Sequence, residues 1–211
     1  MSNNSAHIKE KVSNNSAHIK EKAFMLTDLI KENLSNLNES ELEILVKILN
    51  SHKDNKILVM GAGRSGLVGR CFALRLQHLG FNAYVLGDTI VPSVTKDDLI
   101  VAISGSGSTK LVVTAAEAAK QVGTEIITIT SYPNSPLGKL STHTVTLGGR
   151  VDVSTRDYFA RQILGLHETL APLGTVYEDS ATILLDSIIA TLMSQLHVAE
   201  SEMRKRHANI E

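Results

Sequence analysis

The chain has 211 residues, with 21 Lys and Arg against 22 Asp and Glu, a formal net charge of −1. So even a balance excludes a broad nucleic-acid surface, which needs clustered cations to displace phosphate counterions, and an aromatic content of 4% without Trp leaves little for base stacking. The length suits one domain, or at most two small ones, able to bury roughly 70% of its surface on folding, and 43% hydrophobic residues is the composition of a globule and not of a disordered chain.

Cys71 is the single cysteine, so neither an intramolecular disulfide nor a cysteine-based zinc site is available. The first residues, MSNNSAHIK, lack the apolar core of a signal peptide. No apolar run approaches the roughly 18 residues of a membrane span; Ala181 to Met193 comes nearest and carries Asp186. The expectation is a cytoplasmic protein without membrane or nucleic-acid partners.

In chain order, the first feature is a direct repeat: SNNSAHIKEK stands at Ser2–Lys11 and again at Ser13–Lys22. Its period equals three helical turns at about 3.67 residues per turn. Residues 1–23 therefore read as a helical extension or as a tolerant, disordered terminus, and residues 24–211 as one domain. A helix over roughly Ala23–Ser35 sets Phe24, Leu26, Leu29, Ile30 and Leu34 on an apolar side. A second begins at Ser40, where Ser40 and Glu43 form a capping box ahead of Leu42, Ile44, Leu45, Ile48 and Leu49.

The pattern then alternates. Strands are predicted at Lys56–Met60, Ala83–Leu86, Asp98–Ile103, Glu125–Thr130 and Thr144–Leu147. Between them lie a Gly-rich turn (Gly61–Gly66), helices at Leu67–Leu79 and Thr109–Val122, and a turn with a short helix after Tyr132. Short β-branched strands separated by helices imply parallel pairing with right-handed crossovers. The predicted fold is a three-layer α/β/α sandwich on a five-stranded parallel sheet, flanked by N- and C-terminal helices. Gly148–Pro172 has no clear period. A long helical pattern runs from Thr175 to about Arg206.

Two Gly-rich loops carry the functional signal. Gly61–Gly66, GAGRSG, matches the dinucleotide fingerprint between a strand and a helix, and Asp88 lies where a ribose-binding acid would stand. A dinucleotide-binding protein is thus one reading. Against it, Arg64 and Ser65 put polar side chains where that turn presents bare backbone, and too little chain remains for a separate substrate domain. A second loop, Ser104–Thr109 (SGSGST), also follows a strand and opens a helix. Its hydroxyls, with the free N–H groups and positive dipole end of the helix, suit a monophosphate dianion. Two such loops at the carboxyl ends of adjacent strands mark a ligand crevice.

At these residues the chain resembles a known family. GAGRSG with VAISGSGST is similar to the sugar isomerase (SIS) domain, of flavodoxin-like fold. RLQHLGFNAYVLGDT (Arg75–Thr89), APLGTVYE (Ala171–Glu178) and RHANIE (Arg206–Glu211) resemble the 6-phospho-3-hexuloisomerases. The resemblance covers most of the chain from about residue 24 and leaves out the repeat. It implies interconversion of D-arabino-3-hexulose 6-phosphate and D-fructose 6-phosphate in formaldehyde fixation by the ribulose monophosphate route, after a hexulose phosphate synthase. It implies no metal and no cofactor, and a homotetramer with sites between subunits. Where the family often has Glu after SGSG, this chain has Ser108, which removes an acid from that position.

Moving a ketone between neighbouring carbons requires a base to carry a proton through an enediol. Glu178, the acid of APLGTVYE, is the expected base; its bland alternative is a favourable charge in a helix's first turn. His207, in RHANIE, is expected to serve ring opening or proton transfer between oxygens, and Arg64 to stabilise enediolate charge or contact phosphate. Substrate binding is assigned to Gly63, Ser65, Ser104, Gly105, Ser106, Ser108 and Thr109, with Asp88 and Thr89 reaching sugar hydroxyls. His78 and the run Arg204–Arg206 read as cations at helix C-termini. Apolar positions on the terminal helices exceed what a small sheet needs and are expected to bury a subunit interface. The rival readings are a phosphosugar-binding SIS module without turnover and another phosphosugar aldose–ketose isomerase.

Overall fold

The computed structural model describes residues 2–150 and 174–209. Helices α1 (Ser2–Ser35) and α2 (Glu39–Ser51) lead into strands β1 (Lys56–Gly61), β2 (Asn82–Val85), β3 (Leu99–Ile103), β4 (Glu125–Thr130) and β5 (His143–Thr146). Helix α3 (Gly63–His78) joins β1 to β2, α4 (Lys110–Val122) joins β3 to β4, and α5 (Pro136–Leu140) precedes β5. Helices α6 (Thr175–Gln195) and α7 (Glu200–Lys205) follow.

All four strand pairings are parallel, in the order β2-β1-β3-β4-β5. Alternation along β3 divides the core. Leu99, Val101 and Ile103 face Leu45, Phe72, Leu76 and Leu184 of α2, α3 and α6, whereas Ile100 and Ala102 face Val112, Ala116 and Leu137 of α4 and α5. This is the expected three-layer sandwich. Because α3 leaves β1 on one face and α4 leaves β3 on the other, a crevice opens between the carboxyl ends of these two central strands.

Asp98 ties the sheet's opposite end. Its Oδ1 accepts from Lys56 N–H at 2.9 Å, and its Oδ2 from Thr95 N–H at 2.7 Å and Thr95 Oγ1 at 2.8 Å. Burial alone would raise this carboxyl's pKa; the hydrogen bonds from Thr95 and Lys56 outweigh it and hold the carboxyl below its usual range.

Several local expectations are corrected. Asn38, not Ser40, caps α2: its side chain accepts from Ser40 N–H and Glu41 N–H, because its extended backbone sets the carboxamide over the first free amides. Helix α3 begins at Gly63 and not Leu67; the chain turns helical directly after Ala62, with Gly66 N–H bonded to Ala62 O at 3.3 Å. Strands β2 and β5 each begin one residue earlier than predicted. The long C-terminal helix is broken between Gln195 and Glu200, where His197 adopts φ +53. Helix α1 is continuous through the repeat and packs along α6, where Asn33 Nδ2 donates to Ser180 Oγ at 2.9 Å. Phe24 is not part of that packed side but 71% exposed, and Ile19 is 70% exposed. Among the described residues no helix is long and apolar enough to cross a membrane.

Candidate active site

The crevice is walled by three helix N-termini, those of α3, α4 and α6. It holds a cavity of about 210 Å³ lined by Gly63, Arg64 and Ser65 of α3, Ser104–Ser106 and Thr109 before α4, Arg150, and Glu178 of α6. The first N–H groups of each helix lack intrahelical partners and carry the positive end of the helix dipole. Such an arrangement holds an anion without a surplus of cationic side chains. Ser104 is buried at the carboxyl end of β3, and its Oγ lies 3.4 Å from Thr109 Oγ1.

Gly105 is a glycine for a packing reason. A Cβ there would stand 2.9 Å from the ring of Tyr177. That ring is fully buried beneath the loop, and its hydroxyl donates to Ile129 O at 2.7 Å. Burial, and secondarily the charge of Glu178, push the phenol's pKa far above its ordinary value. Tyr177 is thus a neutral prop that presses the loop into its shape.

Glu178 enters from the first turns of α6 and is only 5% exposed. Ser65 Oγ donates to its Oε1 at 3.3 Å. Arg150 Nη1 lies 3.8 Å from Oε1, and Arg64 Nε 3.7 Å from Oε2. Oε2 is buried without a hydrogen-bond partner among the described residues. Arg64 is itself latched to α6: Nη1 donates to Thr175 Oγ1 at 3.2 Å and Nη2 to Asp179 Oδ1 at 3.3 Å. The result is a carboxylate between two guanidiniums, at the rim of a crevice of helix N-termini, with one oxygen that makes no hydrogen bond among the described residues.

The cavity brings together Gly63, Arg64, Ser65, Ser104, Gly105, Ser106, Thr109 and Glu178. Other expected residues stand elsewhere. Ser108 is exposed, and its N–H bonds to Ser106 Oγ at 3.3 Å. Asp88 pairs with Arg70 at 2.6 Å, and Thr89 is exposed. Both follow β2, the sheet's edge strand, two strand spacings or about 10 Å from β3.

His207 also lies apart. It follows α7, and its ring meets that of His78 with centroids 5.1 Å apart. Arg206 Nη1 donates to His78 O at 3.0 Å. Arg75, His78, Arg204 and His207 line a second cavity of about 510 Å³. Burial first, then the neighbouring His207 and Arg75 charges, lower the pKa of His78. Arg64 and His78 sit fourteen residues apart on α3, about 21 Å at 1.5 Å per residue. Within one chain, His207 does not face Glu178.

The residue that sequence reasoning missed is Arg150. It closes the GGR that follows β5, in the stretch without periodicity, and only the returning backbone carries it to the crevice: Tyr132 OH donates to its carbonyl at 2.7 Å. No motif signals it.

Fold and crevice together define an α/β protein of the sugar-isomerase kind. The SIS domain profile matches residues 51–158, and the chain belongs to the SIS domain family. Within it the chain is 41% identical over 158 residues to a 3-hexulose-6-phosphate isomerase of Methanocaldococcus jannaschii, covering 75% of this chain and 78% of that protein. It is 34% identical to the enzyme of that name from Bacillus subtilis, over 82% of this chain and 88% of that one. A solved Methanococcus jannaschii structure, from which a 3-hexulose-6-phosphate isomerase function was inferred, superposes with a TM-score of 0.71 at 35% identity, over 90% of this chain and 99% of the other. The chain is a member of this isomerase group.

Proposed function

We propose that the protein interconverts D-arabino-3-hexulose 6-phosphate and D-fructose 6-phosphate, as a cytoplasmic homotetramer acting after a hexulose phosphate synthase in formaldehyde fixation. The observation that carries this reading is the buried Glu178 carboxylate, with one oxygen free of hydrogen bonds among the described residues, beside a cradle of helix N-termini and hydroxyls.

The phosphate sits against Ser104, Ser106, Thr109 and the free amides of α4. Glu178 removes the proton from C2 of the 3-hexulose, leaving an enediolate across C2 and C3. It returns the proton to C3, while the hydroxyl proton on O2 moves to O3. Arg64, half-exposed at the rim, offsets charge on the enediolate oxygens. Each proton-transferring group of this kind contributes about 10²–10⁴-fold.

His207 acts on oxygen protons in the cavity of a neighbouring subunit, since its own chain holds it about 21 Å from the Glu178 end of α3. A coupled assay tests the reading: formaldehyde, ribulose 5-phosphate and a hexulose phosphate synthase supply substrate, and fructose 6-phosphate is detected. Formation dependent on this protein is expected. No formation, with turnover of an arabinose or heptose phosphate instead, sinks the substrate assignment.

A further inference from the structure

The two oxygens of Glu178 differ in hydrogen bonding, though each has a guanidinium beside it. Oε1 accepts from Ser65 Oγ at 3.3 Å and lies 3.8 Å from Arg150 Nη1, whereas Oε2 lies 3.7 Å from Arg64 Nε and is buried without a hydrogen bond among the described residues. The two flanking guanidiniums also differ. Arg64 has its terminal nitrogens engaged by Thr175 and Asp179. Arg150 faces the carboxylate from the β5 side, with its own backbone pinned by Tyr132 OH at 2.7 Å.

The start of α6 leaves space for this contact. Gly174 caps the helix at φ +83, and a Cβ there would fall 2.7 Å from Arg150 Nη1 and 2.5 Å from Glu178 Oε2. Both the left-handed backbone and the crowding demand glycine. Three separate parts of the chain thus close around one carboxylate: the start of α3, the segment after β5 and the cap of α6.

We propose that Arg150 is a positioning residue of the isomerisation, holding Glu178 Oε1 against Ser65 so that Oε2, left without a hydrogen bond, is the oxygen that takes up and returns the carbon proton. The proposal rests on Glu178 as the base. A carboxylate released from that hold rotates out of line with the substrate carbon, and misplacement by about 1 Å is enough to cost on the order of a hundredfold in rate.

The test compares Arg150→Gln, Arg150→Lys and Arg150→Ala, each verified as folded by its melting curve. Arg150→Gln is expected to lose about tenfold or more in kcat, with KM for fructose 6-phosphate within about threefold of the parent. Arg150→Lys recovers most of the loss, and added guanidinium ion raises the kcat of Arg150→Ala. A second readout needs no turnover. The ¹³Cδ resonance of Glu178, identified by its disappearance in Glu178→Gln, shifts in Arg150→Gln and moves back in Arg150→Lys. Parental kcat with an unmoved resonance overturns the proposal, and so does a loss confined to KM, which makes Arg150 a substrate contact. An inactive parent whose resonance still shifts refutes the proposed function while supporting the hold of Arg150 on the carboxylate.

Discussion

At the N-terminal end of α3, charge is handled by amides, hydroxyls and one buried carboxylate. At its C-terminal end, Arg75 and His78 meet Arg204, Arg206 and His207. The first end sets the positive pole of the helix beside hydroxyls, an arrangement suited to an anion with few cations. The second gathers three arginines and two histidines at the negative pole. An overall charge of −1 therefore conceals two sites of opposite character on one helix. Neutral composition is compatible with an anion site because the backbone supplies the field, and the real cationic cluster lies about 21 Å from it.

The sharpest way to break this contrast is to disable each end separately. Glu178→Gln is expected to lower kcat by about a hundredfold or more while leaving KM nearly unchanged; retained turnover removes the base from the N-terminal end. Mixed with His207→Ala after dissociation and reassembly, it should regain activity in hybrid oligomers if the two ends serve one site across subunits. Hybrids as inactive as either parent variant confine each site to a single chain.

A smaller effect is expected at the cradle. Ser104→Ala should raise KM for fructose 6-phosphate by about tenfold or more with kcat little changed, the loss of one hydrogen bond to a charged group. Unaltered kinetics would reduce SGSGST to an ordinary turn.

The smallest effect separates the two ends by pH. His78 has a native pKa below its ordinary 6.5, mainly through burial. Above 6.5 it is neutral in both folded and unfolded chains and costs nothing. As pH falls below 6.5 the unfolded chain binds the proton first, so stability declines until pH passes the lowered native value. Melting temperature should drop over that window, and less so in His78→Gln. An identical slope in the variant shows that His78 is not the group responsible.

Much of the site was legible as sequence because it is local. GAGRSG and SGSGST each follow a strand and open a helix, so the crevice and its hydroxyls could be placed from spacing alone. Glu178 came from its motif, and the cavity places it beside both loops. Asp88 sits at the distance along the chain that fits a ribose-binding acid, while its place just after the edge strand pairs it with Arg70. Ser108 is exposed and does not line the cavity, because a loop's hydroxyls do not all point one way. Arg150 stayed invisible because its position depends on a returning backbone segment and not on any periodicity.

The sequence by itself determined the parallel sandwich, through strand-sized apolar runs alternating with helical ones, and the place of the crevice, through glycines and hydroxyls at two strand ends. Only the tertiary structure decided which charges meet. It set two guanidiniums around Glu178 and brought the His207 ring against that of His78. Such contacts join residues dozens of positions apart, and the attraction between charges weakens with their separation in space, whatever their separation along the chain. Periodicity reports which face a residue occupies; the packed fold alone reports what stands opposite it.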